Sequence, residues 1–197
     1  MIARAFQFGL SRLSPWRLLA GFVRDRRGAS LVELALAAPI LMLMLAGTYD
    51  MAQYVLLHQK LNRAASSMAD LVSQSPGITA AEVDQLFFAA QRLLEPYDLQ
   101  GNGHVIVSSI SRTGTSDPLI DWQRQGGGTL TASSELGSAA TVPSLPTNLT
   151  VRDGENLIAA EVFFTHQPLL LQKFLPDGII RHEAYRRARL GNISTLN

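Results

Sequence analysis

The chain has 197 residues, a formal net charge of +1 and no cysteine. Its length allows one domain with an appendage or two small domains, and its 47% hydrophobic and 17% charged residues exclude a disordered chain. The lack of cysteine excludes a disulfide scaffold, a cysteine-ligated metal site and a thiol nucleophile.

The near-neutral total conceals three parts of different charge. Residues 1–28 hold six arginines and one acid, a side-chain charge of +5. Residues 34–49 carry no charged side chain, and residues 58–197 hold 11 basic and 13 acidic ones, a charge of −2. The chain is therefore a basic head, an apolar stem and a mildly acidic body, with no overall bias toward nucleic acid.

The stem predicts a membrane helix. A span from about residue 31 to residue 49 approaches the roughly 20 residues that cross a bilayer, and Pro39 is tolerated inside membrane helices. Because arginine-rich flanks stay in the cytoplasm, we expect a single-pass membrane protein with a cytoplasmic N-terminus and with residues 58–197 outside the cytoplasm. Within this helix, Glu33 either pairs with a partner or extends toward Arg27 and the headgroups.

The predicted segments follow this division. They are a basic cytoplasmic leader (1–28), a transmembrane helix (29–56), an amphipathic stem helix (57–75) and an extracytoplasmic α+β domain (76–197). In the stem helix, apolar residues recur at three- and four-residue spacing: Leu57, Leu61, Ala64, Ala65, Met68, Leu71 and Val72. This stripe must pack on its own domain or on a partner.

The domain is predicted to hold a second helix and an antiparallel sheet. The capping box Thr79–Glu82 opens a helix at about 80–95. Strands are expected at 104–111, 119–124, 156–166 and 183–192, with 156–166 central. Residues 125–146, rich in Gly, Ser, Thr and Pro, are predicted to form a long surface loop. Together these elements predict an α+β fold.

The four histidines show no metal-ligand spacing, and we expect them at the surface or at strand ends. They are His58, His104, His166 and His182. A cluster of C-terminal arginines is read as a solvated strand face or as a contact for an acidic partner or lipid headgroups. It comprises Arg181, Arg186, Arg187 and Arg189.

The junction of head and stem has the pattern Arg26-Arg27-Gly28-Ala29-Ser30-Leu31-Val32-Glu33. A twin-arginine export signal would need a large apolar residue where Gly28 and Ala29 stand. An ordinary secretory signal would need a small-x-small site, which does not follow the apolar run. What remains is a basic leader, a glycine and a glutamate five residues further on, directly before an apolar helix.

This pattern resembles a type IV prepilin processing site. More closely, it resembles the opening of TadE-like proteins, minor pseudopilins of tight-adherence (Tad/Flp) pilus systems. The shared features are Arg26, Gly28, Val32-Glu33-Leu34-Ala35 and Pro39. The resemblance covers about residues 26–75, with a weaker echo at 160–164. The chain differs in having Leu34 where the Flp pilins have tyrosine, and in its leader of 28 residues.

The resemblance implies a non-enzymatic assembly protein with no cofactor, metal or small-molecule substrate and no nucleic-acid partner. A prepilin peptidase would cut between Gly28 and Ala29 and remove the leader charge of Arg24, Arg26 and Arg27. Glu33 would then pair with a neighbouring subunit's amine during assembly. The implied partners are that peptidase, other pilins and pseudopilins, and the Tad membrane platform. The resemblance also implies a location in a bacterial inner membrane, with a periplasmic C-terminal domain, in association with the pilus.

Two alternatives remain open. One is an uncleaved bitopic, TadG-like inner-membrane protein whose outer domain binds a partner or the cell wall. The other is a membrane-tethered enzyme, which would require His104, His166 and His182 to meet in one pocket with a carboxylate.

Overall fold

A computed structural model describes residues 28–170, 172, 178–191 and 193–196. Its first element is helix α1 (Ala29–Ser73), 45 residues long, which at 1.5 Å per residue extends about 67 Å. The first compact unit of the chain ends at Ala46 and the second is Gly47–Asn197, so α1 contributes to both. Pro39 lies inside the helix without ending it.

In the first unit, α1 is exposed and apolar around its whole circumference. Six consecutive side chains, residues 40–45, are between 55% and 73% exposed, and consecutive residues cover every side of a helix. Among the described residues, α1 alone is long and apolar enough to cross a membrane, and its most apolar window contains no buried residue. The predicted membrane helix is thus present as a candidate span.

In the second unit, α1 lies on a four-stranded antiparallel sheet. The strands are β1 (Gly103–Ser111), β2 (Leu119–Gly126), β3 (Asn156–His166) and β4 (Gly178–Arg187). Their order is β2-β1-β3-β4, so the predicted central position of β3 is confirmed. Two further helices, α2 (Ala80–Leu94) and α3 (Leu99–Asn102), connect α1 to the sheet. The predicted α+β class is therefore confirmed.

The main core lies between the helices and one face of the sheet. Leu57, Leu61 and Met68 of α1 are fully buried and belong to one cluster with residues of α2 and the sheet. The stripe predicted for the stem is correct except at Leu71, which is 46% exposed. The amphipathic half of α1 therefore packs on its own domain.

Local signals explain the ends of the helices. The Thr79 hydroxyl accepts a hydrogen bond from the backbone N–H of Glu82 (3.2 Å), and the Glu82 carboxylate accepts one from the backbone N–H of Thr79 (2.8 Å). The predicted capping box is thus formed. At α3, which the sequence did not indicate, the Asp98 carboxylate accepts from the backbone N–H of Gly101 (3.0 Å).

The predicted loop 125–146 needs correction. Its first two residues belong to β2, and the segment that follows covers the second face of the sheet. Leu136 is 1% exposed and packs with Ile110, Ile120 and Leu157 in a second core cluster. The segment is part of the core because the strands offer apolar side chains on both faces.

The last strand also differs from the prediction. It begins at Gly178 and ends at Arg187, whereas the alternation of side chains predicted 183–192. The additional pairs at its start join Phe163 to Arg181 and Phe164 to Ile180. This part of the strand has no alternation of apolar and polar side chains in the sequence, because Arg181 and His182 are both polar.

We expect Leu61→Ala to lower the free energy of unfolding by about 2–5 kcal/mol, because it leaves a cavity where a fully buried side chain packed. The matched control is Leu71→Ala on the exposed side of the same helix, which should cost less than about 1 kcal/mol. Denaturant titration of the detergent-solubilised chain, followed by the fluorescence of buried Trp122, measures both. Equal losses would contradict this packing of α1.

Candidate functional site

The predicted processing site lies at the start of α1. Gly28 is exposed and Ala29 is the first residue of the helix. A Cβ atom placed on Gly28 would have no described atom within 4 Å, and the backbone there is not left-handed. The folded part of the chain therefore does not require glycine at this position. The leader residues Arg24, Arg26 and Arg27 lie outside the described residues.

Glu33, the predicted assembly residue, lies one helical turn into α1 and is exposed. Its neighbours Val32 and Leu34 are 60% and 59% exposed. A carboxylate among apolar side chains that face outward needs an interfacial position or a cationic partner in a bilayer. The position suits either of the two roles expected from the sequence.

A row of polar side chains crosses the interface between α1 and the sheet in the second unit. His58 Nδ1 lies 2.8 Å from His182 Nε2, a hydrogen bond between a helix and a strand that are 124 residues apart. The ring of Tyr54 lies edge-on to His58 and to His166, with centroid distances of 4.3 and 5.1 Å. We call these four residues the histidine row.

Two imidazoles of the row, those of His166 and His182, have lowered pKa values. Burial lowers the pKa of His182 below its usual value of 6.5, and His58 lowers it further. Burial also lowers the pKa of His166; nearby Asp50 opposes this shift and His58 adds to it. His58 Nε2 is buried without a hydrogen-bond partner in the described part of the chain. His58 and His182 are half-buried and lie within a helix and a strand, so the sequence-based expectation of surface or strand-end histidines describes them only in part.

The row is not the pocket that a membrane-tethered enzyme would need. His166 and His182 lie on the face of the sheet that meets α1, whereas His104 lies on the opposite face, as the strand register requires. His104 Nε2 lies instead 3.4 Å from the side chain of Gln125. Among the residues that the structure describes, no group of three or more His, Asp or Glu could hold a metal ion.

The C-terminal arginines are paired within the domain. Arg181 contacts three carboxylates, those of Glu135 (3.0 Å), Glu161 (2.8 Å) and Glu183. Glu161 is 1% exposed and also accepts hydrogen bonds from Ser134 and from the backbone N–H of Glu135. Because a lone buried carboxylate would be costly, Glu161 needs these partners. They connect the segment around Glu135 to β3 and β4.

Two other arginines of the cluster have surface partners. Arg187 lies 3.5 Å from Glu155, and Arg189 lies 3.9 Å from Asp70. Both are about half exposed or more, so these pairs are of the kind that contributes little to stability. The cluster is therefore a charged surface with internal partners, close to the solvated strand face expected from the sequence.

Sequence reasoning missed the contacts that join distant segments. The row depends on residues 54, 58, 166 and 182, which no local pattern connects. A better signal was available at Asp50, the first charged residue after the apolar run. Its carboxylate is 2% exposed and accepts hydrogen bonds from the backbone N–H groups of Leu169 and Leu170.

We expect the second unit to be less stable at about pH 5.5 than at about pH 7.5. Folding lowers the pKa of His166 and His182, so below about 6.5 the unfolded chain binds more protons than the folded chain. The free energy of unfolding therefore falls as the pH decreases, by at most about 1.4 kcal/mol per pH unit for each such proton. Denaturant titrations of the solubilised chain across this range measure the slope.

The variant His166→Gln/His182→Gln should flatten this dependence, and His104→Gln on the other face should leave it unchanged. An unchanged slope in the double variant would show that other groups control the response.

The comparisons with known proteins agree with the geometry of α1. Residues 28–70 match the family model described as TadE-like protein, and the match begins at Gly28. No curated protein and no solved structure matches the chain. The resemblance predicted from the residues around Gly28, Glu33 and Pro39 is thus confirmed over this segment. Over residues 28–70 the chain is therefore similar to TadE-like proteins, and this similarity indicates a protein related to Tad pili.

Proposed function

We propose that the protein is a minor pseudopilin or assembly component of a Tad-type pilus and that it works by association, without chemistry of its own. The observation that carries this proposal is the TadE-like match over residues 28–70. This segment covers most of α1, the helix that contains the candidate membrane span. A helix with apolar side chains exposed on every side buries them only in lipid or against other helices. Both environments exist in a pilus assembly platform.

The proposed orientation places the head in the cytoplasm and the second unit in the periplasm. The six arginines that precede α1 support this, because positive flanks are retained on the cytoplasmic side. The protein would then be a single-pass protein of a bacterial inner membrane, associated with the pilus and with its pilins, pseudopilins and membrane platform.

Processing by a prepilin peptidase after Gly28 is part of the proposal. A peptidase that binds the chain at this position would favour glycine, because glycine has no side chain to clash with the enzyme. The described fold does not itself require glycine there. Cleavage would make Ala29 the N-terminus and place its amine one helical turn from Glu33. A neighbouring subunit's Glu33 could then neutralise that amine in a medium where an unpaired charge is costly.

We expect Gly28→Leu to retain residues 1–28 and the wild-type chain to begin at Ala29 only where the peptidase is present. The matched control is Gly77→Leu, since Gly77 is also exposed with no described atom within 4 Å of an added Cβ. Intact mass and N-terminal sequence of protein purified from membranes measure this. A wild-type chain that begins at Met1 would support the uncleaved, TadG-like alternative. A start near Thr48 would contradict both and indicate a secreted protein.

We expect Glu33→Ala to insert into the membrane as the wild type does and to abolish incorporation into the pilus machine. The control Leu34→Ala removes a neighbouring side chain of similar exposure without removing a charge. Alkaline extraction of membranes reports insertion, and co-purification with sheared pili or the platform reports incorporation. Normal incorporation of the Glu33 variant would exclude the pairing role.

A further inference from the structure

The turn after β3 is tied to α1 by a single carboxylate. Asp50 accepts hydrogen bonds from the backbone N–H groups of Leu169 (3.2 Å to Oδ1) and Leu170 (3.2 Å to Oδ1 and 3.1 Å to Oδ2). Because these bonds are made by the main chain, they fix the position of the turn and leave both leucine side chains unconstrained by the contact. The turn therefore stays at the level of Asp50 along the helix.

The side chains around this contact are apolar and exposed. Leu169 is 65% exposed and Leu170 is 56% exposed, beside Tyr49 at 44% and Met51 at 57% on α1. Tyr49 and Leu169 line the same shallow cleft of about 300 Å³. Single exposed leucines are normal on soluble proteins. Here two exposed leucines belong to the backbone bound by Asp50, and the exposed Tyr49 and Met51 flank Asp50 in the sequence.

The level of Asp50 along α1 is the level at which the candidate span ends. Residues 31–49 extend about 28 Å as a helix, close to the roughly 30 Å of a bilayer's hydrocarbon core. Asp50 is the next residue and the first charged one after Glu33. Groups hydrogen-bonded to its side chain lie within a few ångströms of that level, inside a headgroup layer about 5–8 Å thick.

We propose that the turn Gln167–Leu170 is a membrane-docking surface, with Leu169 and Leu170 inserted into the outer leaflet of the bilayer that α1 crosses. The occupant is lipid because the exposed surface continues from the span itself, with Tyr49 at the boundary where amphipathic aromatic rings reside. The domain thus has a second contact with the membrane besides its helix.

The buried carboxylate makes this docking possible. An uncompensated anion near the hydrocarbon boundary would be costly to desolvate and would repel anionic lipids. The backbone N–H groups of Leu169 and Leu170 compensate Asp50 by charge-assisted hydrogen bonds. The same hydrogen bonds therefore compensate the charge of Asp50 and hold the leucine side chains at the level of the membrane boundary.

The proposal rests on the membrane span of the proposed function, and the test separates the two. The chain has no cysteine, so single-cysteine variants carry one nitroxide label each. Leu169→Cys is the test position and Leu190→Cys the matched control, because both leucines are 65% exposed. Leu190 adjoins Arg189, whose backbone N–H donates to the Ser73 carbonyl at the far end of α1, about 35 Å from Asp50.

Met42→Cys, at 72% exposure within the candidate span, reports whether α1 crosses the bilayer. The full-length variants are reconstituted into vesicles of phosphatidylethanolamine and phosphatidylglycerol. Collision rates with oxygen, which concentrates in lipid, and with a water-soluble nickel chelate are measured by electron paramagnetic resonance. We expect the ratio of oxygen to nickel collisions to be several-fold higher at residue 169 than at residue 190, and highest at residue 42.

Three results would overturn the docking surface while leaving the span intact, provided that residue 42 reports lipid. A ratio at 169 equal to that at 190 would place the turn in water. Low collision rates with both reagents at 169 would show that protein covers it, as expected for a second copy of the chain. A ratio at 169 as high as at 42 would place the turn in the hydrocarbon core, which the hydrogen-bonded Asp50 could not tolerate. A water-like signal at 42 would instead refute the span and the proposed function with it.

Discussion

Burial of one stripe of α1 against the sheet is the interaction on which the second unit depends. Leu57, Leu61 and Met68 fill the space between the sheet and α2, and all three are fully buried. Without this stripe the inner face of the sheet would be exposed to water, since α2 supplies only four buried side chains. The same helix that contains the candidate span is thus also the central packing element of the second unit.

The change of environment along α1 occurs within three helical turns. Large apolar side chains are exposed along α1 as far as Leu56, and from Leu57 onward they are buried in the core except at Leu71. Asp50, Tyr54 and His58 lie at this change of environment, each in contact with the strands or with the turn after β3. Polar groups occupy this zone because their partners come from the sheet and from the turn after β3.

Much of this architecture follows from local sequence. The length of α1, the capping box at Thr79 and the central β3 all arise from patterns within about 15 residues, and these predictions are confirmed. The failures have a common cause. The start of β4 was missed because Arg181 and His182 are polar, and each finds its partner, Glu161 or His58, far away in the chain. The role of the segment after β2 was missed for the same reason, since Ser134 bonds to that same Glu161.

The residues of the candidate site also divide into those marked by a local sequence pattern and those that depend on distant contacts. Gly28 and Glu33 can be predicted because their spacing to the apolar run is a local pattern, and the family match covers them. Asp50 itself stands out as the first charged residue after the apolar run. Its partner, the turn 120 residues later, could not be predicted, because backbone N–H groups carry no sequence signature.

The continuity of α1 has a mechanical consequence. A helix without a break transmits tension along its axis, so a pull on its N-terminal end would load the contacts of Leu57, Leu61 and Met68 together. Contacts loaded in shear must yield at once, whereas contacts that are peeled yield one after another. A helix held in this way resists extraction along its axis better than one whose contacts are peeled in sequence.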